Sequence, residues 1–131
     1  MSEEKSSKKI LLVEDDAFLR NVCEVKLKKA GLDVVSVVDG KDALEELGKG
    51  EKVPDLVLLD LLLPTMDGFE VLTRIRSDSR PEVAKVPVVI LSNLSSEEEI
   101  KKAKKLGANH YLVKAQHTMD EIVEKVKELA S

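Results

Sequence analysis

The chain has 131 residues, 43% apolar and 35% charged, which fits one domain with a sizeable buried core rather than two. Six glycines and four prolines exclude a low-complexity or collagenous chain, and a single cysteine excludes a disulfide framework and points to a reducing, cytoplasmic setting. Lys+Arg 21 against Asp+Glu 25, net −4, with Phe18, Phe69 and Tyr111 as the aromatics, leaves neither a basic nor a stacking surface for nucleic acid, and no apolar run is long enough to span a membrane.

In chain order, residues 1–8 are charged and serine-rich and read as a disordered tail ahead of a domain over 9–131. The first apolar run is 10–13, the second 34–38, the third 56–59, the fourth 88–91 and the fifth 111–113. Several are apolar at consecutive rather than alternate positions, as strands are when helices cover both faces. Helical spacing lies between them. Phe18, Leu19, Val22, Cys23, Leu27 and Ala30 form one stripe, stopped by Gly31. Ala43, Leu44 and Leu47 form a shorter helix closed near Gly48, with Asp39-Gly40 as its turn and start. Phe69, Val71, Leu72 and Ile75 follow, starting around Asp67-Gly68. Ser96 with Glu99 is a capping box for a fourth helix ending before Gly107, and Thr118 with Glu121 opens the last, striped by Met119, Ile122, Val123, Val126 and Leu129.

Five strands alternating with five helices predict an α/β fold: a doubly wound five-stranded parallel sheet, flavodoxin-like, in the order 2-1-3-4-5. Ligands of such sheets bind beyond the carboxyl ends of the strands, where the order reverses. The residues there are Glu14-Asp15-Asp16 after the first strand, Asp60 after the third, Ser92-Asn93 after the fourth and Lys114 after the fifth. Asp60 is the most informative. It lies within Leu56-Val57-Leu58-Leu59-Asp60-Leu61-Leu62-Leu63, where a carboxylate is costly unless paired, and it is too far from Asp67 to cap the next helix.

Gathered carboxylates repel by about 4 kcal/mol for two charges ~4 Å apart at an effective dielectric near 20, so the site calls for a proton or a cation. Hard oxygen donors suit Mg²⁺. His110, His117 and Cys23 do not form a zinc-binding spacing. A carboxylate beside a divalent ion can attack phosphorus, with Lys114 as a point charge for one phosphate oxygen and Ser92 as a hydrogen-bond donor to another. The charge-dense fourth helix, Ser96 to Leu106, reads first as a solvated face with pairs such as Glu97–Lys101 and Glu98–Lys102.

These residues resemble the receiver domain of two-component response regulators, of the single-domain, chemotaxis-regulator-like kind. The resemblance runs from about residue 8 to 129 through Leu12-Val13-Glu14-Asp15-Asp16, Asp60-Leu61-Leu62-Leu63-Pro64-Thr65-Met66-Asp67-Gly68, Ser92, and Gly107-Ala108-Asn109-His110-Tyr111-Leu112-Val113-Lys114. It implies that Asp60 accepts a phosphoryl group from a histidine kinase or histidine phosphotransfer protein in a Mg²⁺-dependent reaction. It implies Asp15, Asp60 and the backbone carbonyl of Leu62 as metal ligands, Glu14 acting through water, and Ser92 and Lys114 on the phosphate, while Asp16, a third acid, reads mainly as the cap of the first helix. It also implies a rotamer change at Tyr111 that alters the face of the fourth helix, fifth strand and last helix for a downstream protein, in a monomer or weak phosphorylation-dependent dimer. Four positions depart from the family pattern. Ala115 stands where proline usually follows the lysine through a cis bond, leaving the loop either strained or rebuilt as trans. Asn93 stands where a small residue is usual, which leaves it either to crowd the acyl phosphate or to hydrogen-bond it. Leu62 and Leu94 are apolar where polar groups often influence attacking water, which predicts slow self-dephosphorylation.

Three other readings compete. An aspartate-nucleophile phosphatase needs a second acid two positions past the nucleophile, where Leu62 stands. A flavin or nucleotide domain of this architecture needs glycines or hydroxyls where Glu14-Asp15-Asp16 stand. A receiver-like module that is never phosphorylated is favoured by Ala115 and the bulk of Asn93 alone. The leading expectation is a switch with no enzymatic turnover of its own.

Overall fold

The structure is a computed structural model describing residues 7–50 and 52–131. Most of the expected tail, residues 1–6, lies outside the described residues; the carbonyl of Lys8 already accepts the N–H of Asp33 at 2.8 Å.

The five strands are β1 (Lys9–Val13), β2 (Asp33–Val37), β3 (Leu56–Leu59), β4 (Val88–Ser92) and β5 (His110–Val113). They form one parallel sheet in the order β2-β1-β3-β4-β5, as predicted. The helices are α1 (Ala17–Lys29), α2 (Gly40–Leu47), α3 (Gly68–Arg76), α4 (Pro81–Ala84), α5 (Glu97–Lys105) and α6 (Met119–Ala130). The one-turn α4 was not predicted. Proline at its first turn suits a helix start, but four residues carry too little periodicity to read. The fourth and last predicted helices are therefore α5 and α6.

The caps follow the side chains read from the sequence. Asp16, Asp39 and Asp67 accept the N–H of Leu19, Asp42 and Glu70 to open α1, α2 and α3. Ser96 and Thr118 form complete capping boxes on α5 and α6.

Successive strand residues face opposite layers. Leu11, Val13, Val57, Leu59, Val88 and Ile90 pack with Ala43, Val71, Leu72, Ile75 and Ala103, from the side of α2, α3 and α5. Ile10, Leu12, Leu56, Leu58, Val89 and Leu91 pack with Cys23, Leu27, Ile122, Val123 and Val126, from α1 and α6. Each wholly buried Leu or Ile contributes roughly 1.5–3 kcal/mol of transfer free energy, so β1, β3 and β4, covered on both faces, anchor the sheet. Edge strand β2 is only half-buried.

Neither charge pairing expected on α5 forms, and Glu97 and Lys101 make no ion pair among the described residues. Lys102 does not pair with Glu98; its ammonium stands over the Phe69 ring, 4.3 Å from the centroid, tying α5 to α3.

Candidate functional site

The sheet order reverses between β1 and β3, and the acids leave the sheet on either side of that point. The N–H of Glu14 donates to Val37 and that of Asp60 to Val13, extending the two ladders by one residue each. The loops that follow are held locally. The Arg20 guanidinium donates to the carbonyls of Glu14 (3.0 Å) and Asp15 (3.3 Å), bending the chain out of β1 into α1. Sequence reasoning had no signal for this role, because a backbone carbonyl acceptor leaves no trace in residue identity. After β3, the N–H of Gly68 returns to the carbonyl of Leu61 at 2.9 Å. A Cβ at Gly68 would collide with the carbonyl oxygen of Asp60, so only glycine lets α3 begin this close to the strand end. Between them Thr65 sits at φ 62, a left-handed conformation uncommon outside glycine and asparagine.

Glu14, Asp60 and Ser92 are the buried polar side chains among the described residues, and all three stand at this rim. Carboxylate oxygens of Glu14, Asp15 and Asp60 lie within 4.8 Å of one another. The ammonium of Lys114 bridges two of them, 2.8 Å from Glu14 Oε1 and 2.7 Å from Asp60 Oδ2. Asp60 Oδ1 accepts the N–H of Leu62 at 3.0 Å, and Glu14 Oε2 accepts that of Asp16 at 3.1 Å. Burial pushes the Glu14 carboxyl above its ordinary pKa, against the opposing pull of Lys114 and the Asp16 N–H. Burial alone would lower the pKa of Lys114, but its hydrogen bonds to Asp60 and Glu14 outweigh that and hold it raised and charged.

Three carboxylates against one ammonium leave surplus negative charge in a half-dry site. The donors are all hard oxygens, and each carboxylate oxygen retains a free lone pair beyond the bond described, so the cluster suits a divalent metal.

The remaining predicted residues sit around this cluster. Ser92 is wholly buried at the end of β4, and its hydroxyl accepts the N–H of Leu94 at 3.3 Å rather than bonding Asp60. Half-buried Tyr111 donates its hydroxyl to the Leu94 carbonyl at 2.5 Å, and burial raises its pKa, reinforced by the charges of Glu99 and Asp60. The chain leaves Lys114 through a 3₁₀ turn, Lys114–Gln116, and no cis peptide bond occurs among the described residues, so the loop is the trans alternative. Asn93 does not turn its carbonyl oxygen toward Asp60; Oδ1 accepts the N–H of Ala115 at 3.0 Å. No helix among the described residues is long and apolar enough to cross a membrane.

Comparison with known proteins fits this geometry. A family model, the response regulator receiver domain, matches residues 10–127. The protein named "Probable transcriptional regulator ycf27" from Porphyridium aerugineum is 39% identical over 106 residues, 81% of this chain and 41% of that protein. The chain thus spans less than half the length of that relative. The phosphorylated cyanobacterial phytochrome response regulator RcpA has 35% identity and a TM-score of 0.81, covering 95% of this chain and 91% of the other. The Mn²⁺-bound form of response regulator Rcp1 has 30% identity and a TM-score of 0.79, covering 92% of each. The chain belongs to the family of response regulator receiver domains.

Proposed function

We propose that the chain is a phosphorylation switch whose acceptor is Asp60. The observation that carries this reading is the placement of a buried carboxylate at the tip of the middle strand, with the Lys114 ammonium 2.7 Å from one oxygen and two further acids within 4.8 Å. An oxygen of Asp60 forms the new bond to phosphorus while the P–N bond of a phosphohistidine breaks. The electron pair goes to the leaving imidazole, as expected for a protein that supplies position and charge rather than covalent machinery. Lys114 and the hydroxyl of Ser92 are the groups to receive the phosphate oxygens. Asp15, Asp60 and the carbonyl of Leu62 would hold a Mg²⁺ ion, with Glu14 acting through water. That ion, when bound, supplies positive charge against the carboxylates and the incoming phosphoryl group. The phosphorylated state of RcpA and the Mn²⁺-bound state of Rcp1 support both assignments.

The phosphodonor is a histidine kinase or phosphotransfer protein. Phe18, 78% exposed at the start of α1, and Leu62, 53% exposed two residues past Asp60, offer apolar ground to such a donor beside the acceptor. A phosphate adds roughly −1.5 to −2 charges, which favours loop arrangements that bring Ser92 and Lys114 onto it. Because Tyr111 is bonded to the loop after Ser92, the change passes to the α5-β5-α6 face, where an output protein binds. The protein acts in the cytoplasm, as a monomer or a weak phosphorylation-dependent dimer.

The test is incubation with Mg²⁺ and acetyl phosphate, read by intact mass. The wild-type chain gains one phosphoryl group and Asp60→Ala gains none. A wild-type chain that stays unmodified, or an Asp60→Ala chain that is still modified, overturns the reading.

A further inference from the structure

Two of the positions where this chain departs from its family, 93 and 115, touch each other. The parallel pairing of β4 with β5 ends at Ser92 opposite Val113. The next residues, Asn93 and Lys114, leave the sheet, yet Asn93 Oδ1 accepts the N–H of Ala115 at 3.0 Å. A side chain thus adds one more rung after the backbone ladder has stopped. A proline at 115 would have no N–H to offer and a small residue at 93 no acceptor, so the bond needs both departures together. Its ends lie one residue beyond Ser92 and one beyond Lys114. The same loop is pinned next door, where Leu94 donates its N–H to Ser92 Oγ and accepts the hydroxyl of Tyr111.

We propose that Asn93 is a positioning residue for phosphoryl transfer: its bond to Ala115 sets the spacing between the Ser92 hydroxyl and the Lys114 ammonium before phosphate arrives. This role rests on Asp60 being the acceptor. The physical case is one of preorganisation. Lys114 is reached across the sheet by a long flexible stem, and its backbone follows the last strand of the sheet, an edge with no neighbour beyond it. Fastening the backbone immediately past Lys114 to the side chain immediately past Ser92 removes that freedom. The bond is made before the reaction and touches no reacting atom, so its effect falls on the maximal rate rather than on capture of the donor.

The experiment measures phosphorylation by acetyl phosphate with Mg²⁺ across donor concentrations, together with the amide exchange of Ala115 and the thermal midpoint. Asn93→Ala and Asn93→Leu, which lack the acceptor, are expected to lose protection at the Ala115 N–H. Their maximal rate should fall by about three- to tenfold, the worth of one hydrogen bond, with the half-saturating donor concentration unchanged. Asn93→Asp keeps an acceptor oxygen and should restore both protection and maximal rate, while its added charge raises the donor concentration needed. The proposal is overturned if Asn93→Ala phosphorylates at the wild-type maximal rate. It is equally overturned if all three variants lose rate in proportion to a drop in thermal midpoint, which marks a merely structural bond. A wild-type chain that takes no phosphate removes the acceptor reading itself, a result distinct from normal wild-type phosphorylation with indifferent Asn93 variants.

Discussion

The two rims of the sheet each hold one inward-reaching cation, and they are satisfied in opposite ways. At the amino end, the guanidinium of Arg76 donates to the carbonyls of Ala84, Val86 and Gly107 and to Asn109 Oδ1, at 2.8 to 3.1 Å. Every N–H of the fork has an acceptor, all acceptors are neutral, and Asn109 Oδ1 also takes the N–H of Val88. Burial lowers the pKa of Arg76, but a guanidinium stays charged regardless. Gly107, at φ +109, lies so close that a Cβ would meet Arg76 Nε at 2.8 Å. At the carboxyl end, Lys114 faces more acid than it can neutralise. A saturated cation locks the loops around it, whereas an outnumbered one leaves uncompensated carboxylate charge that suits a divalent cation. Stability and chemistry are thus assigned to opposite ends of the same strands.

That contrast can be broken from either side. The largest loss of stability is expected for Arg76→Ala, which strands the carbonyls of Ala84, Val86 and Gly107, at about 3 kcal/mol or on the order of 10 °C in thermal midpoint. Added Mg²⁺ should recover none of this specific loss, and below its midpoint the variant should still accept phosphate at Asp60. Lys114→Ala should cost less, about 1–3 kcal/mol, because its site is partly solvated. Here millimolar Mg²⁺ should recover much of the loss, since the deficit is uncompensated carboxylate charge, while the rate of phosphorylation falls. Equal rescue of the two variants in paired thermal melts would erase the distinction between the rims.

A smaller kinetic effect is expected at Leu62. Replacing it by Asn places a polar group beside the acyl phosphate, and decay of the phosphorylated chain, followed by intact mass, should accelerate several-fold. Unchanged decay would detach the exposed Leu62 side chain from control of the attacking water. The smallest effect concerns Cys23, whose thiol is pushed up to about 12, first by burial and then by the charge of Glu14. Its folded pKa exceeds its unfolded value, so this contribution to stability is intact below about pH 9 and is lost as pH rises toward 12. A thiol reagent at pH 8 should therefore modify Cys23 only on unfolding, and rapid labelling of the native chain would contradict the packing of α1.

Much of the fold and of the site is legible in the sequence. Apolar runs of three to five residues, caps such as Asp16, Asp67 and Ser96, and the stop at Gly31 are local signals, so the strands and the long helices follow from spacing. The acids, Ser92 and Lys114 are legible as the residues that follow the strands, because a parallel sheet collects those positions at one rim. The misses share a cause. The one-turn α4 is too short to show a period, and Lys102 chose a ring on another helix over a carboxylate on its own. Arg20 and Arg76 act on backbone carbonyls, which every residue carries.

The amino-acid order by itself determined the layered sheet, the gathering of Glu14, Asp15 and Asp60, and the cation that faces them, because burial periodicity and chain direction act locally and add up. Tertiary structure alone decided that the loop after Lys114 is trans, that Asn93 reaches Ala115 and that Arg76 seals the far end. The last two are hydrogen bonds between groups apart in the chain, whose partners geometry chooses from many chemically equivalent ones, and the first lets the Ala115 N–H reach Asn93.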